Sequence, residues 1–224
     1  YITSVEELKN PDMICLPGTK NTMSDLMWLR QNGLEAAIKK EKNHGTIIFG
    51  ICGGYQMLGN TLNDLQGIEE GGTIAGMGFL PMDTYFEPEK QTNRITGNFT
   101  KLNGIFEELS GKPLEGYEIH MGQTLFRNPV TALTQLNYDS IWKTSKEGVF
   151  CENVYGTYVH GIFDKEDIAP IIISGLARKK GIRFEDLSSF NYHKLKEEQY
   201  DYLADELRKH LDMKQIYQIM EGWE

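Results

Sequence analysis

Apolar and polar residues follow two periods along the chain, and their order predicts an α/β fold. Short apolar runs at 12–18 (DMICLPG) and 46–50 (TIIFG) end at turn residues, as buried strands do. Between them, apolar residues recur at helical spacing with a break at Asn32-Gly33. The stretch GYQMLGNTL after the second run predicts another helix. Strand, helix, strand and helix in this order are typical of a parallel sheet with crossover helices.

The pattern changes from residue 72 onward. Alternation with turn glycines predicts shorter, partly antiparallel strands up to the β-rich run at 149–161. Helical spacing returns at 168–181 and in the tail. We expect one domain over 1–190 and a helical tail over 191–224 that packs on it, because the tail does not sustain a strict heptad.

Charge and composition exclude several classes of function. The formal net charge of -9, without a long basic stripe, argues against nucleic-acid and anionic-membrane partners. No apolar run reaches the roughly 18 to 20 residues that span a bilayer, and we expect a cytoplasmic protein. Three cysteines are too few for a disulfide framework, and no spacing predicts a metal site.

Cys52 stands in the run Gly50-Ile51-Cys52-Gly53-Gly54, between an apolar strand and a helix. This G-x-nucleophile-x-G pattern is typical of a nucleophile elbow, whose tight turn requires glycines beside the nucleophile. A thiol at a helix N-terminus is expected to ionise more easily. Its attack on a carbonyl creates an oxyanion that needs N–H donors.

Donors and a base for this thiol can be suggested from their positions. Gly53 N–H is one candidate donor, and the loop Pro17-Gly18-Thr19-Lys20 could supply a second, because both loops follow strands that should end at the same sheet edge. His160 ends the apolar run VYGTYV and could project from that edge as the general base. The spacing of cysteine and histidine alone does not decide between a catalytic pair and two structural residues.

Four ordered blocks carry a family resemblance. PGTKNTMSDLMWL, GICGGYQMLG, GYEIHMGQT and GTYVHGIFD resemble the class I glutamine amidotransferase domain of the cobyric acid synthase family. The resemblance implies a flavodoxin-like fold, with a mostly parallel sheet flanked by helices and some antiparallel strands. It also implies hydrolysis of L-glutamine through a thioester on the cysteine.

The same resemblance implies a second domain. Members of this family carry an ATP-dependent, magnesium-dependent synthetase domain N-terminal to the glutaminase, which uses the ammonia to amidate carboxylates of adenosylcobyrinic acid a,c-diamide. The chain starts at Tyr1 and contains no G-x-x-x-x-G-K-[ST] loop. We therefore expect it to be part of a longer polypeptide, with no cofactor in this domain and with the synthetase domain and the corrinoid acceptor as partners.

By resemblance, Cys52 is the nucleophile and His160 the histidine that takes its proton. The residues expected to bind substrate or the oxyanion are Gly18, Thr19, Gly53, Gln56, Tyr117, Glu118 and His120. Many relatives with a triad have glutamate two residues after the histidine, whereas here the run is His160-Gly161-Ile162-Phe163-Asp164. Asp164 is a candidate for the third group.

Other interpretations stay open at this point. Within the same class, the chain could belong to cobyrinic acid a,c-diamide synthase or to an amidotransferase that modifies a cell-wall lipid precursor. From a different class, it could be a non-catalytic flavodoxin-like module that binds glutamine or regulates a partner.

Overall fold

The computed structural model describes residues 1–138, 143–165, 167–182 and 192–222. Its helices are α1 (Thr22–Gln31), α2 (Leu34–Asn43), α3 (Gly53–Met57), α4 (Ile168–Lys179), α5 (Tyr192–His210) and α6 (Met213–Glu221). Its strands are β1 (Met13–Leu16), β2 (Ile47–Ile51), β3 (Thr61–Asp64), β4 (Gly72–Ala75), β5 (Met82–Phe99), β6 (Pro113–Phe126), β7 (Thr134–Tyr138), β8 (Lys143–Glu147), β9 (Val149–Cys151), β10 (Val154–Thr157) and β11 (Val159–His160).

The first sheet has the strand order β1-β2-β10-β9. β1 and β10 both pair in parallel with β2, while β9 runs antiparallel to β10. The chain crosses from β1 to β2 through α1 and α2, as the alternating sequence pattern predicts. The carboxyl ends of β1, β2 and β10 consequently meet at one edge of this sheet.

The apolar run of β2 explains why this sheet is covered on both faces. Ile48 packs into a core cluster with Leu26 and Tyr55, which lie on α1 and α3. Its neighbours Ile47 and Phe49 belong to a second cluster on the opposite face. Successive side chains of one strand thus join two cores.

The second sheet has the order β11-β6-β5-β3-β4, and β7 and β8 extend it from β5. β3 and β5 pair in parallel, and the other neighbours pair antiparallel. The predicted α/β class with flanking helices is confirmed. The sheets are mixed, with more antiparallel pairing than the mostly parallel sheet that the resemblance implies, and β5 and β6 are longer than the short strands predicted after residue 72.

The helix predicted over GYQMLGNTL is shorter than expected. α3 ends at Met57, and Thr61–Asp64 form β3. A Cβ on Gly59 would lie 2.8 Å from the carbonyl oxygen of Met82, and Asn60 N–H donates to that same oxygen. The close approach to β5 turns the chain from helix into strand.

The predicted C-terminal tail is helical where the structure describes it. The apolar side chains of Leu195, Leu203 and Leu207 are exposed, so the packing of the tail on the domain stays a prediction. The predicted boundary at 190/191 lies outside the described residues. Among the described residues, no helix is both long and apolar enough to cross a membrane.

Candidate active site

Cys52 sits in the turn between β2 and α3. Its backbone has φ 52° and ψ -113°, a conformation that is strained for a residue with a Cβ. A Cβ on Gly54 would lie 2.1 Å from the carbonyl oxygen of Leu16, and one on Gly50 would lie 2.7 Å from that of Gly54. The turn therefore requires glycine at both positions, as the elbow pattern predicts.

The Cys52 thiol is buried and points toward β6. Its Sγ donates a hydrogen bond to the carbonyl oxygen of Ile119 at 3.4 Å. The pKa of this thiol is raised to about 11, mainly by burial and also by the carboxylate of Glu69, while the N–H of Gly53 lowers it. The expectation of an easily ionised thiol is wrong for this conformation, because burial outweighs one N–H of a five-residue helix.

His160 ends β11 and lies close to Cys52. A Cβ placed on Gly18 would be 2.8 Å from His160 Cε1 and 3.4 Å from Cys52 Cβ, so both residues border this glycine. Burial lowers the pKa of His160, which keeps the imidazole neutral at pH 7. Its Nε2 is buried and has no hydrogen-bond partner among the described residues. The ring is thus able to accept a proton.

The loop after β1 lies against the elbow. Gly54 N–H donates to the carbonyl oxygen of Pro17 at 3.1 Å. A Cβ on Gly53 would lie 3.1 Å from Thr19 N, which places the two loops in contact. Thr19 Oγ1 is buried without a hydrogen-bond partner in the part of the chain that the structure describes. Thr19, beside Gly53, and His160, beside Gly18, together leave two buried polar atoms unsatisfied at the elbow.

β6 covers this site from the second sheet. The Tyr117 ring stacks on the His160 ring, with centroids 5.0 Å apart and planes 5° apart. His120 stacks on Tyr158 at 3.8 Å, and its Nδ1 lies 3.2 Å from the carbonyl oxygen of Gly122. Burial lowers the pKa of His120 to about 4, and the nearby His160 lowers it too. Tyr117 therefore contacts His160, the proposed base, and His120 lies near enough to His160 for the two rings to interact electrostatically.

Glu118 has different surroundings from its neighbours on β6. Its buried carboxylate accepts a hydrogen bond from Tyr138 Oη at 3.2 Å, and burial raises its pKa. Side chains alternate along a strand, so Glu118 and Tyr117 lie on opposite faces of β6. A role for Glu118 in substrate binding stays a prediction.

Gln56 is buried, and its amide is engaged inside the protein. Thr22 Oγ1 donates to its Oε1 at 3.0 Å, and its Nε2 donates to Met121 O at 3.1 Å and to Tyr158 Oη at 3.3 Å. The amide connects α3 to α1, β6 and the residue before β11. These contacts stabilise the elbow, whereas contact of Gln56 with a substrate stays a prediction.

Asp164 lies in the turn after β11. Its N–H donates to the carbonyl oxygen of Gly161, and its Oδ2 would be 3.2 Å from a Cβ on that glycine. Its proposed role as the third catalytic group stays a prediction. Among the described residues, no cluster of three histidine, cysteine or acidic side chains could hold a metal ion.

Glu69 was not predicted as a site residue. It lies in the loop between β3 and β4, and its Oε2 accepts a hydrogen bond from Met23 N, in the first turn of α1, at 2.9 Å. Burial raises its pKa, and its charge in turn raises the pKa of Cys52. The sequence shows only an acidic pair in a loop there, which is usually a solvated surface.

The comparisons with known proteins agree with this geometry. The sequence profile of the CobB/CobQ-like glutamine amidotransferase domain matches residues 1–168. The chain belongs to this family. It is therefore a glutamine amidotransferase domain, as the four sequence blocks predict.

Two curated relatives and one solved structure are similar to this chain. Cobyric acid synthase of Lachnoclostridium phytofermentans is 49% identical over 99% of this chain and 45% of its own length. Cobyric acid synthase of Ruminiclostridium cellulolyticum is 48% identical over 99% of this chain and 43% of its own length. The chain thus spans less than half the length of these relatives. A crystal structure of a glutamine amidotransferase, at 16% identity, has a TM-score of 0.50 and covers 81% of this chain and 85% of its own, which shows the fold alone.

Proposed function

We propose that this chain is the glutaminase domain of a cobyric acid synthase and hydrolyses L-glutamine to glutamate and ammonia through a thioester on Cys52. The observation that carries the proposal is the pair of buried, unsatisfied polar atoms, Thr19 Oγ1 and His160 Nε2, on residues that border the elbow turn of Cys52. A polar substrate that satisfies both atoms and presents a carbonyl carbon to Sγ fits this arrangement.

The first half of the reaction would form the thioester. His160 Nε2 takes the proton of the Cys52 thiol, and Sγ attacks the side-chain amide carbon of glutamine. The Gly53 N–H and the Gly18-Thr19 loop would stabilise the oxyanion. The carbon–nitrogen bond then breaks, and the proton on His160 passes to the leaving nitrogen, which departs as ammonia.

The second half would release glutamate. Neutral His160 removes a proton from water, and the resulting hydroxide attacks the thioester carbon. The carbon–sulfur bond breaks, the thiolate takes the proton from His160, and glutamate leaves. The half-buried, neutral imidazole suits both steps, because each begins with the ring accepting a proton.

We further propose that a synthetase domain of the same polypeptide uses the ammonia. That domain would bind ATP and magnesium and amidate carboxylates of adenosylcobyrinic acid a,c-diamide. Support comes from the names of the two relatives and from their length, of which this chain covers 45% and 43%. A cytoplasmic location is proposed with it, because the amidation would consume ATP.

Two assays on the full-length protein that contains this chain test the proposal. The first follows glutamate release from L-glutamine in wild type, Cys52→Ser and His160→Ala. Release that both substitutions abolish supports the cysteine pathway, whereas glutamine binding without release would favour a non-catalytic module. The second supplies ATP and each acceptor in turn. Amidation of a cell-wall lipid precursor, or of cobyrinic acid itself, would show that this compound is the acceptor and that adenosylcobyrinic acid a,c-diamide is not.

A further inference from the structure

The last residue of β10, Thr157, and the single residue between β10 and β11, Tyr158, form a two-residue segment, here called the link, that lies next to both proposed catalytic residues. The carbonyl oxygen of Thr157 accepts a hydrogen bond from Cys52 N–H at 2.8 Å. His160 follows the same link two residues after Tyr158, and the Tyr158 hydroxyl accepts from Gln56, four residues beyond the nucleophile. Any shift of the link would therefore change the position of the sulfur relative to the imidazole.

The carboxylate of Glu147, at the end of β8, holds this link on two sides. Thr157 Oγ1 donates to its Oε2 at 2.7 Å, and Tyr158 N–H donates to its Oε1 at 2.7 Å. Thr157 Oγ1 also accepts from Val159 N–H at 3.0 Å, which extends the network into β11. A third donor comes from outside the link, because Thr134 Oγ1 on β7 lies 3.0 Å from Oε2.

Among the described residues, no hydrogen bond joins the carboxylate of Glu147 to Cys52 or His160. Its partners are two residues of the link and one residue of β7. Burial raises the pKa of Glu147 to about 7, while the bonds from Thr157 and Tyr158 lower it. Removing the carboxylate of Glu147 from water costs free energy, and the hydrogen bonds that it accepts offset this cost.

We infer that Glu147 is a positioning residue, whose carboxylate fixes the Thr157-Tyr158 link and through it the placement of His160 against Cys52. The inference rests on the proposed function for the reaction that it serves. It also explains how the histidine is positioned without a glutamate two residues after it in the sequence. The orientation of the His160 imidazole is set by the backbone that carries it, which the link holds in place.

A matched pair of substitutions separates positioning from stability. Thr157→Val and Thr134→Val each remove one hydroxyl donor from the same carboxylate, and each also removes one backbone contact, with Val159 N–H for Thr157 and with the carbonyl oxygen of Glu147 for Thr134. Only Thr157 belongs to the link. The full-length protein is assayed for kcat and KM of L-glutamine hydrolysis, and each variant is also unfolded by heat. Glu147→Gln tests the carboxylate itself, and Thr157→Ser restores the donor.

The expected pattern is specific. Thr157→Val and Glu147→Gln should lower kcat on the order of 10- to 100-fold with KM nearly unchanged, since a displacement near 1 Å costs that much. Thr134→Val should keep kcat within about twofold, and Thr157→Ser should recover most of the wild-type rate. Equal losses of kcat for Thr157→Val and Thr134→Val would overturn the inference.

A second measurement distinguishes failure of the proposed glutaminase function from failure of the positioning role of Glu147. If wild type releases no glutamate, the glutaminase proposal fails, and the same four variants are compared by the rate at which iodoacetamide alkylates Cys52. A slower reaction in Thr157→Val and Glu147→Gln alone supports positioning of the base. The same alkylation rate in wild type and all four variants contradicts it.

Discussion

The Cys52 thiol donates to the carbonyl oxygen of Ile119 at 3.4 Å, while Nε2 of His160 has no hydrogen-bond partner among the described residues. The nucleophile and its proposed base are neighbours, but the proton is directed to β6. A sulfur that attacks a substrate must first leave Ile119 and turn toward His160. This conformation is therefore closed, and the chemistry needs a rotation of the thiol or a movement of β6.

The closed thiol predicts an unusual pH dependence of alkylation. Because burial raises the pKa of Cys52 to about 11, only a small fraction is thiolate at pH 7.5. The alkylation rate with iodoacetamide should rise about tenfold per pH unit between pH 7 and 10. Mass spectrometry measures the adduct, and Cys52→Ser identifies reaction at Cys15 or Cys151. A plateau below pH 9 would show that the thiol is ionised more easily than this conformation allows.

Glu69→Gln should make the thiol easier to ionise. The negative charge of Glu69 raises the pKa of Cys52, so its removal lowers that pKa and increases the alkylation rate at pH 8. The adjacent Glu70→Gln is the matched control, because Glu70 is exposed and its carboxylate accepts from Asn21 Nδ2. Equal rates in the two variants would mean that the charge of Glu69 does not reach the sulfur.

The sequence predicts the elbow because its requirements are local. Gly50 and Gly54 sit beside Cys52 in the chain, and their close contacts follow from one tight turn. The carbonyl of Ile119 could not be predicted, since it depends on the pairing of β5 with β6 and on a register shift between Tyr85 and Lys90. No local pattern encodes that register.

Glu69 and Glu147 were missed for a related reason. Each is an acidic residue in an ordinary polar stretch, and only the fold brings its carboxylate to Met23 N–H or to the Thr157-Tyr158 link. His160 was predicted because an apolar strand ends at it. When a single acidic side chain is buried against backbone that is distant in the chain, the sequence around it shows no pattern comparable to the apolar run before His160.

Asp64→Asn should loosen the loop that carries Glu69. Asp64 accepts from the N–H groups of Ile68 and Glu69, each at 2.7 Å, and of Gly71 at 2.8 Å. An amide group cannot accept all three, so we expect a loss of about 2 kcal/mol or more in the free energy of unfolding. Chemical denaturation measures it. Asp167→Asn, at an exposed ion pair, should cost less than about 1 kcal/mol.

The same carboxyl predicts a pH effect on stability. Burial raises the pKa of Asp64, but the backbone donors outweigh it and the net pKa is lowered. The folded state therefore holds the ionised form, and its contribution is present above the unfolded pKa near 3.9 and is lost as pH falls through the folded pKa. Asp64→Asn should flatten the acid limb of the stability curve below about pH 4. An unchanged acid limb would contradict this assignment.

His120 predicts a second, separate acid transition. Burial lowers its pKa to about 4, so between pH 6.5 and 4 the unfolded chain binds a proton that the folded chain does not. Stability should fall by up to about 3 kcal/mol as pH drops through this window. His120→Asn keeps a donor near Gly122 O and cannot titrate there. Denaturation curves at pH 6.5 and 4.5 should differ less in this variant than in wild type.

Gly18→Ala should remove activity while the fold is kept. The added Cβ would lie 2.8 Å from His160 Cε1, which is part of a side chain that can rotate away. The ring then leaves the thiol, and glutamine hydrolysis should fall by about 100-fold or more with little change in thermal stability. Gly54→Ala is the contrasting variant, because its Cβ would meet the backbone oxygen of Leu16 at 2.1 Å. Rotation of one side chain cannot relieve this contact with the backbone, so the free energy of unfolding should fall by about 3 kcal/mol or more. If Gly18→Ala hydrolyses glutamine at the wild-type rate, the space beside this glycine is not where the imidazole must stand during catalysis.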